Sequence, residues 1–206
     1  MTDIKDLFKK ANAIIENDHI VYTSGKHGSV YLNKDALYPH TELASEVGKM
    51  FAEKYENEDI DIVVAPALGG IILSQWTAHH LSKIKNKEIL GAYAEKDSEG
   101  TLVLKRGYDK LVAGKNILVV EDITNTGGSI KKTIQVTEEA GGKIVAACVM
   151  INRSPETVTS ETMGAPFDAL GVIEAEALEE DICPLCKENI PVNTEVGHGK
   201  KFLAGK

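Results

Sequence analysis

The opening residues place Ile4, Leu7, Phe8, Ala11, Ile14 and Ile15 at spacings of three and four, the stripe of an amphipathic helix that covers a larger body. Between residues 21 and 37, β-prone stretches flank Ser24-Gly-Lys-His-Gly-Ser29, which predicts strand, loop and strand. A second helix starts at Thr41, with Leu43, Val47, Met50 and Phe51 on its buried face. From Ile60 the pattern changes. Short β-rich runs at 60–65, 88–94, 116–121 and 144–151 alternate with helical stretches at 70–82 and 129–140, the second stopped by Gly141-Gly142. Such alternation predicts a parallel sheet built from crossover units. Between Lys96 and Lys115 neither period holds, and Asp97, Ser98, Glu99, Gly100 and Gly107 point to a long loop, a hairpin being one option. Loops of that length in compact domains are usually functional.

Composition narrows the classes. The chain has 206 residues, 43% of them apolar and 26% charged, enough for a core and close to one domain of roughly 150 residues plus small appendages. A net charge of −8 argues against a nucleic-acid binder, so any bound anion must be held locally. The longest apolar run, Ile62 to Leu73, is broken by Pro66 and two glycines and falls short of the ~18 residues of a membrane span. Asp3, Lys5, Asp6, Lys9 and Lys10 in the first ten positions, with no apolar core behind them, are unlike a secretory signal, and three cysteines are too few for a disulfide framework. The expectation is a cytoplasmic protein with no membrane partner.

The chemistry concentrates in Ile117-Leu-Val-Val-Glu-Asp-Ile-Thr-Asn-Thr-Gly-Gly-Ser129. A buried strand ends in Glu121-Asp122, at the edge where open α/β sheets place ligands. Thr124 to Ser129 then supplies hydroxyls, two glycines that let backbone approach closely, and a helix N-terminus whose N–H groups attract an anion. Two glycines alone are often a structural turn, but adjacent acids before them suit the vicinal hydroxyls of a ribose whose 5′-phosphate the turn would hold.

This segment resembles the phosphoribosyl-pyrophosphate motif of the type I phosphoribosyltransferases. Thr23-Ser-Gly-Lys-His27 ahead of Tyr31, Ala65-Pro-Ala-Leu-Gly-Gly70, Lys105-Arg-Gly-Tyr108, Asn152-Arg153 and Cys183-Pro-Leu-Cys186 are similar to segments of its orotate-using branch. The resemblance implies the α/β type I phosphoribosyltransferase fold, a mainly parallel sheet flanked by helices with an N-terminal hood. Residues 1–40 would form the first helix and hood, 41–175 the core and 176–206 a C-terminal appendage. It implies transfer of ribose 5-phosphate from phosphoribosyl pyrophosphate to orotate, giving orotidine 5′-monophosphate and pyrophosphate in pyrimidine synthesis. Mg2+ would bind mainly through the phosphoribosyl pyrophosphate, and the chain would work as a homodimer. A purine phosphoribosyltransferase and a non-catalytic sensor of phosphoribosyl pyrophosphate are the alternatives.

The same resemblance distributes roles. Glu121 and Asp122 hold the ribose, and Ile123, Thr124, Asn125, Thr126, Gly127, Gly128 and Ser129 the phosphate. Leu68 and Gly69 contact pyrophosphate through backbone, and Lys26 and Tyr31 belong to the hood over the base. Arg153 meets the orotate carboxylate, whose shape a guanidinium matches bidentately. Arg106 lies on a mobile loop that closes over the site, often that of the neighbouring subunit. Lys96 and Lys105 are both candidates for the catalytic lysine. Asn125 stands where many relatives carry threonine, and the loop lacks a histidine. Cys183-x-x-Cys186 has zinc-knuckle spacing, but a tetrahedral site needs four ligands. His198 could supply a third, so a C-terminal structural turn is expected and a metal site completed across a dimer is the alternative. His79-His80 and Cys148 read as packing residues.

Overall fold

A computed structural model of the chain describes residues 3–22, 24–174 and 176–205; Thr23, which opens the first hood segment, and Ala175, the end of the expected core, lie outside them. Helix α1 (Ile4–Lys10) starts on an Asp3 cap and buries Ile4, Leu7 and Phe8. It stops at Ala11, where Asn12 takes φ +49°, so the helical reading of Ile14 and Ile15 is corrected. Both open β1 (Ile14–Val21), which pairs antiparallel with β2 (His27–Leu32) across a bulge between Glu16 and Ile20. Ile14 packs against the same core as α1 and so extends its stripe, whereas Ile15, the next residue on the strand, is not part of that core. A one-turn helix α2 (Lys34–Leu37) leads into α3 (Thr41–Lys54). Val47 and Phe51 are buried on α3 as expected, whereas Leu43 and Met50 pack at the core margin and Ala44, Gly48 and Ala52 complete the inner face.

The crossover units follow as the pattern predicts: β3 (Ile62–Pro66), α4 (Gly69–Lys85), β4 (Leu90–Lys96), β6 (Asn116–Thr124), α6 (Gly128–Glu139) and β7 (Lys143–Asn152). The 96–115 stretch contains a short hairpin strand, β5 (Leu102–Val103), antiparallel to β4, and a one-turn helix, α5 (Tyr108–Val112), for which the sequence carries no period. Past β7 come elements the sequence reading did not place: α7 (Ser160–Met163), β8 (Phe167–Val172), α8 (Pro184–Lys187) and α9 (Gly199–Ala204). The six-stranded sheet has the order β5-β4-β3-β6-β7-β8, parallel except for β5.

Successive side chains of a strand point to opposite faces. Val63, Ala65, Leu118 and Val120 join α1, α3 and α4 in one core, while Ile62, Val64, Ile117 and Val119 join α6 in the other. Covering both faces explains why these strands read as unbroken apolar runs. The β3–β4 crossover and the β6–β7 crossover therefore lie on opposite faces, and chain direction across the sheet reverses between β3 and β6. Such a switch point opens a crevice at the strands' carboxyl ends. No helix among the described residues is long and apolar enough to cross a membrane.

Candidate active site

The two strand-to-helix turns at that crevice are neighbours because β3 pairs with β6. After β6, Thr124 Oγ1 accepts the Gly127 N–H at 2.9 Å, and Gly127 adopts φ +74°. A side chain there would be strained, and its Cβ would fall 2.4 Å from Met163 Cε, so glycine is required. The N-cap position of α6 offers no side chain, which leaves its first N–H groups facing the crevice. Arg153 N–H bonds Thr124 C=O at 2.9 Å and ties the turn to the end of β7. Asn125, Thr126, Gly128 and Ser129 are exposed around this cradle, while Ile123 is half-buried.

Glu121 and Asp122 are 8% and 6% exposed. Burial, and next the charge of Asp122, push the Glu121 carboxyl up to about 8, against the pull of Lys34 and of hydrogen bonds from Ser129 and Ile130. Asp122 accepts from Lys34 Nζ at 2.6 Å and from the Tyr38 hydroxyl at 3.2 Å. Burial first, and then Asp122, raise the Tyr38 phenol far above its ordinary range, so it acts as a donor. Lys34 and Tyr38 come from the α2 segment and were not singled out in the sequence, where a charged residue in a four-residue helix leaves no periodic signal. The Asp122 carboxylate needs room at the other turn: a Cβ on Gly69 would lie 2.2 Å from Asp122 Oδ2. Next to Gly69, Leu68 is 83% exposed and the Ala67–Leu68 peptide is cis.

A carboxyl that keeps its proton when folded but loses it when unfolded makes stability fall as pH rises. For Glu121 the two forms agree below the ordinary 4.5, diverge as pH climbs, and the loss levels off above about 8. Removing that carboxylate should return on the order of 2–4 kcal/mol at pH 8.5, or a rise of about 5–10 °C in Tm. Thermal unfolding of Glu121→Gln and wild type without ligand should therefore coincide at pH 4 and separate at pH 8.5. Parallel curves would contradict the buried, protonated assignment.

A cavity of about 570 Å3 opens beside the β6–α6 turn, lined by Tyr22, Tyr31, Asn125 and Arg153, with Gly197 and His198 from the C-terminal segment. The Arg153 guanidinium sits 5.1 Å from the Tyr22 ring centroid. Among the described residues no carboxylate forms an ion pair with it. Among those residues, the surface salt bridge that would make Arg153 merely structural is thus not formed. A larger hollow of about 900 Å3, between the β5 segment and α6, shares no residue with either turn or with the acids.

Other sequence-selected residues lie elsewhere. Lys26 does not line the cavity; its amine pairs with Glu179 at 3.2 Å. His27, read with the hood over the base, is fully buried and points instead toward His19 and the Cys183–Cys186 segment. Lys96, Lys105 and Arg106 are exposed, and the last two reach back to the end of β4: Lys105 Nζ to Lys96 C=O at 3.4 Å, and Arg106 Nε to Glu95 at 3.3 Å. Cys148 is buried in β7, where burial pushes its thiol up to about 12, and His79 and His80 pack on Trp76.

The switch-point crevice, with an acidic strand end feeding an uncapped helix turn, defines a type I phosphoribosyltransferase, and the phosphoribosyl transferase domain family matches residues 33–163. The chain is 34% identical over 186 residues to orotate phosphoribosyltransferase of Caldicellulosiruptor bescii, covering 90% of this chain and 92% of that one. It is 33% identical over 198 residues to that of Thermotoga maritima, covering 96% and 100%. Among solved structures, Mycobacterium tuberculosis orotate phosphoribosyltransferase with Fe(III) dicitrate superposes with a TM-score of 0.67 at 18% identity over 83% of this chain and 96% of that one. The Aeropyrum pernix enzyme does so at 0.65 and 21% identity over 82% and 93%. The chain belongs to the orotate phosphoribosyltransferases of the type I family.

Proposed function

We propose that this chain transfers ribose 5-phosphate from phosphoribosyl pyrophosphate to orotate, and that the cavity beside the β6–α6 turn is where orotate binds. The observation that carries this is Arg153, a guanidinium that forms no ion pair with a carboxylate among the described residues, at a cavity continuous with the phosphate cradle. The bond from the anomeric carbon to the pyrophosphate oxygen breaks, its electron pair leaving with pyrophosphate. The orotate ring nitrogen, as its anion, donates the pair that forms the new bond to that carbon.

Thr124 to Ser129 and the α6 N–H groups hold the 5′-phosphate, and Glu121 and Asp122 accept from the ribose hydroxyls. Backbone N–H groups at Leu68 and Gly69 face the departing pyrophosphate. Tyr31, Tyr22 and Asn125 bound the base. Lys34 and Tyr38 are positioning residues that aim Asp122. Lys26 contributes by holding the hood to the C-terminal segment through Glu179. Within this reading residues 41–175 are the catalytic core, 1–40 the hood and 176–206 the appendage that completes the cavity. Oxygen donors suit Mg2+, a hard cation that keeps most of its waters, and Asp122 already accepts one cation, the Lys34 ammonium. Bound there through substrate and water, Mg2+ would neutralise charge growing on pyrophosphate. A reducing cytoplasm suits the thiols, since no disulfide forms among the described cysteines.

Offered orotate, uracil, adenine and hypoxanthine with phosphoribosyl pyrophosphate and Mg2+, the protein should release pyrophosphate with orotate alone. Turnover of a purine instead would overturn the reading.

The loop with Lys96, Lys105 and Arg106 closes, in this proposal, over the site of a partner subunit and brings cations to the pyrophosphate while excluding water. Mixing an Asp122→Asn chain with a Lys96→Ala/Lys105→Ala chain should then restore part of the activity that each lacks, because a hybrid dimer assembles one intact site. Assays after subunit exchange that stay at the sum of the two variants would mean that each site is built from one chain.

A further inference from the structure

We infer that His19, His27, Cys183 and Cys186 bind one zinc ion that pins the C-terminal segment to the β1–β2 hairpin. Their ligand atoms all lie within 4.8 Å of one another. His19 Nε2 is 2.8 Å from His27 Nδ1, 3.9 Å from Cys183 Sγ and 3.6 Å from Cys186 Sγ, and Cys186 Sγ is 3.3 Å from His27 Nδ1. Zinc bonds of about 2.3 Å to sulfur and 2.0–2.1 Å to nitrogen place the ligand atoms of a tetrahedron about 3.3–3.8 Å apart. The observed set brackets that range, so small side-chain shifts complete the polyhedron.

Three further features favour a metal over a chance cluster. First, His19 Nδ1 lies 2.7 Å from the Ile190 carbonyl. A carbonyl only accepts, so Nδ1 carries the proton and Nε2 presents its lone pair to the other three groups, the usual outer-shell support of a ligating histidine. Second, His19, His27 and Cys183 are 0–1% exposed and Cys186 is partly buried. Polar groups so placed are costly without strong partners. Two thiolates and two neutral imidazoles cancel the charge of Zn2+, so the occupied site is neutral; binding releases one proton from each thiol. Third, mixed nitrogen and sulfur ligands in a tetrahedral, enclosed set select zinc among common cellular cations.

The four ligands come from separate parts of the chain. Val21 and His27 are directly paired across the hairpin, which puts His19 on the same face as a diagonal neighbour. Cys183 and Cys186 start α8 and lie in it, and His27 also exchanges backbone bonds with Leu178 at 2.7 and 2.9 Å. Beyond the cysteines the chain returns along β1, where Asn193 N–H bonds His19 C=O and His198 N–H bonds Val21 C=O, both at 2.8 Å. Gly197 and His198 there form one wall of the cavity. The Cys-x-x-Cys turn is therefore half of a site whose other ligands are His19 and His27. His198, the third ligand suggested by sequence, lies at the cavity instead.

The test begins with the full chain expressed without a metal-affinity tag and purified without chelator. Elemental analysis should find about one zinc per chain, lost in Cys183→Ser and in Cys186→Ser and kept in Cys148→Ala. Chain stripped by a chelator should melt several degrees lower and recover on adding Zn2+, and Co2+ should give the strong visible absorption of a tetrahedral thiolate site. Wild-type chain that carries no zinc, and whose stripped form binds neither Zn2+ nor Co2+, overturns the proposal even if the serine variants fail to fold. One consequence rests on the orotate reading: stripping should raise KM for orotate more than for phosphoribosyl pyrophosphate. Zinc present with a different base turned over would leave the metal site standing and remove that reading, whereas orotate turnover by wild-type chain that neither carries nor binds zinc would do the reverse.

Discussion

Asp122→Asn should lower kcat/KM for phosphoribosyl pyrophosphate by ten- to a hundredfold, about 1.4–2.7 kcal/mol of transition-state stabilisation, with little change in Tm. The amide preserves shape but removes the charge that, in the proposed role, accepts from ribose hydroxyls. Stability is spared for two reasons. Lys34, the ion-pair partner, has a side chain 34% exposed and can rehydrate when the pair is lost. Asp122 also helps push the neighbouring Glu121 carboxyl up, so its neutralisation lowers the cost of carrying that buried acid as pH rises. Lys34→Met separates positioning from contact. If Asp122 acts only by holding Lys34, the two single variants and the double variant lose the same activity; if Asp122 touches ribose, its loss exceeds that of Lys34 and the double variant falls at least as far. Full activity in Asp122→Asn would sink the assignment of the acids.

The central sheet was legible because burial on both faces makes β3, β6 and β7 unbroken apolar runs, and the β6–α6 turn because its acids and glycines cluster within nine residues, 121 to 129. β8 was not: half-exposed along most of its length, as an edge strand can be, it has no alternation to detect. Helix α5 is a single turn between two glycines, below the length at which a period exists. The site divides in the same way. Residues contiguous in sequence were found together, while Lys34 and Tyr38 reach Asp122 across 88 and 84 positions. The zinc ligands make the point sharply. A Cys-x-x-Cys pair is visible, but its partners lie 164 residues away from Cys183 for His19 and 159 from Cys186 for His27. The only local hint was a histidine on each side of the Tyr22–Lys26 turn.

Arg153→Ala should weaken orotate binding by ten- to a hundredfold and leave phosphoribosyl pyrophosphate affinity nearly unchanged. The guanidinium emerges just past β7, and the Arg153 backbone N–H donates to the Thr124 carbonyl, so the backbone that shapes the β6–α6 turn persists when the side chain is cut. What is lost is a charged donor fork in a cavity partly closed by Tyr22 and Tyr31. Charge-assisted bonds of this kind contribute on the order of 1.5–3 kcal/mol, which sets the expected range. The Tyr22 ring, its centroid 5.1 Å from the guanidinium carbon, supports the guanidinium at the cavity. Arg153→Lys should recover only part of the loss, since an ammonium keeps the charge but not the planar fork. Calorimetric titration of wild type and both variants with each ligand decides the matter. Equal losses for the two ligands would make Arg153 a support of the phosphate turn, and unchanged orotate affinity would move the base site away from this cavity.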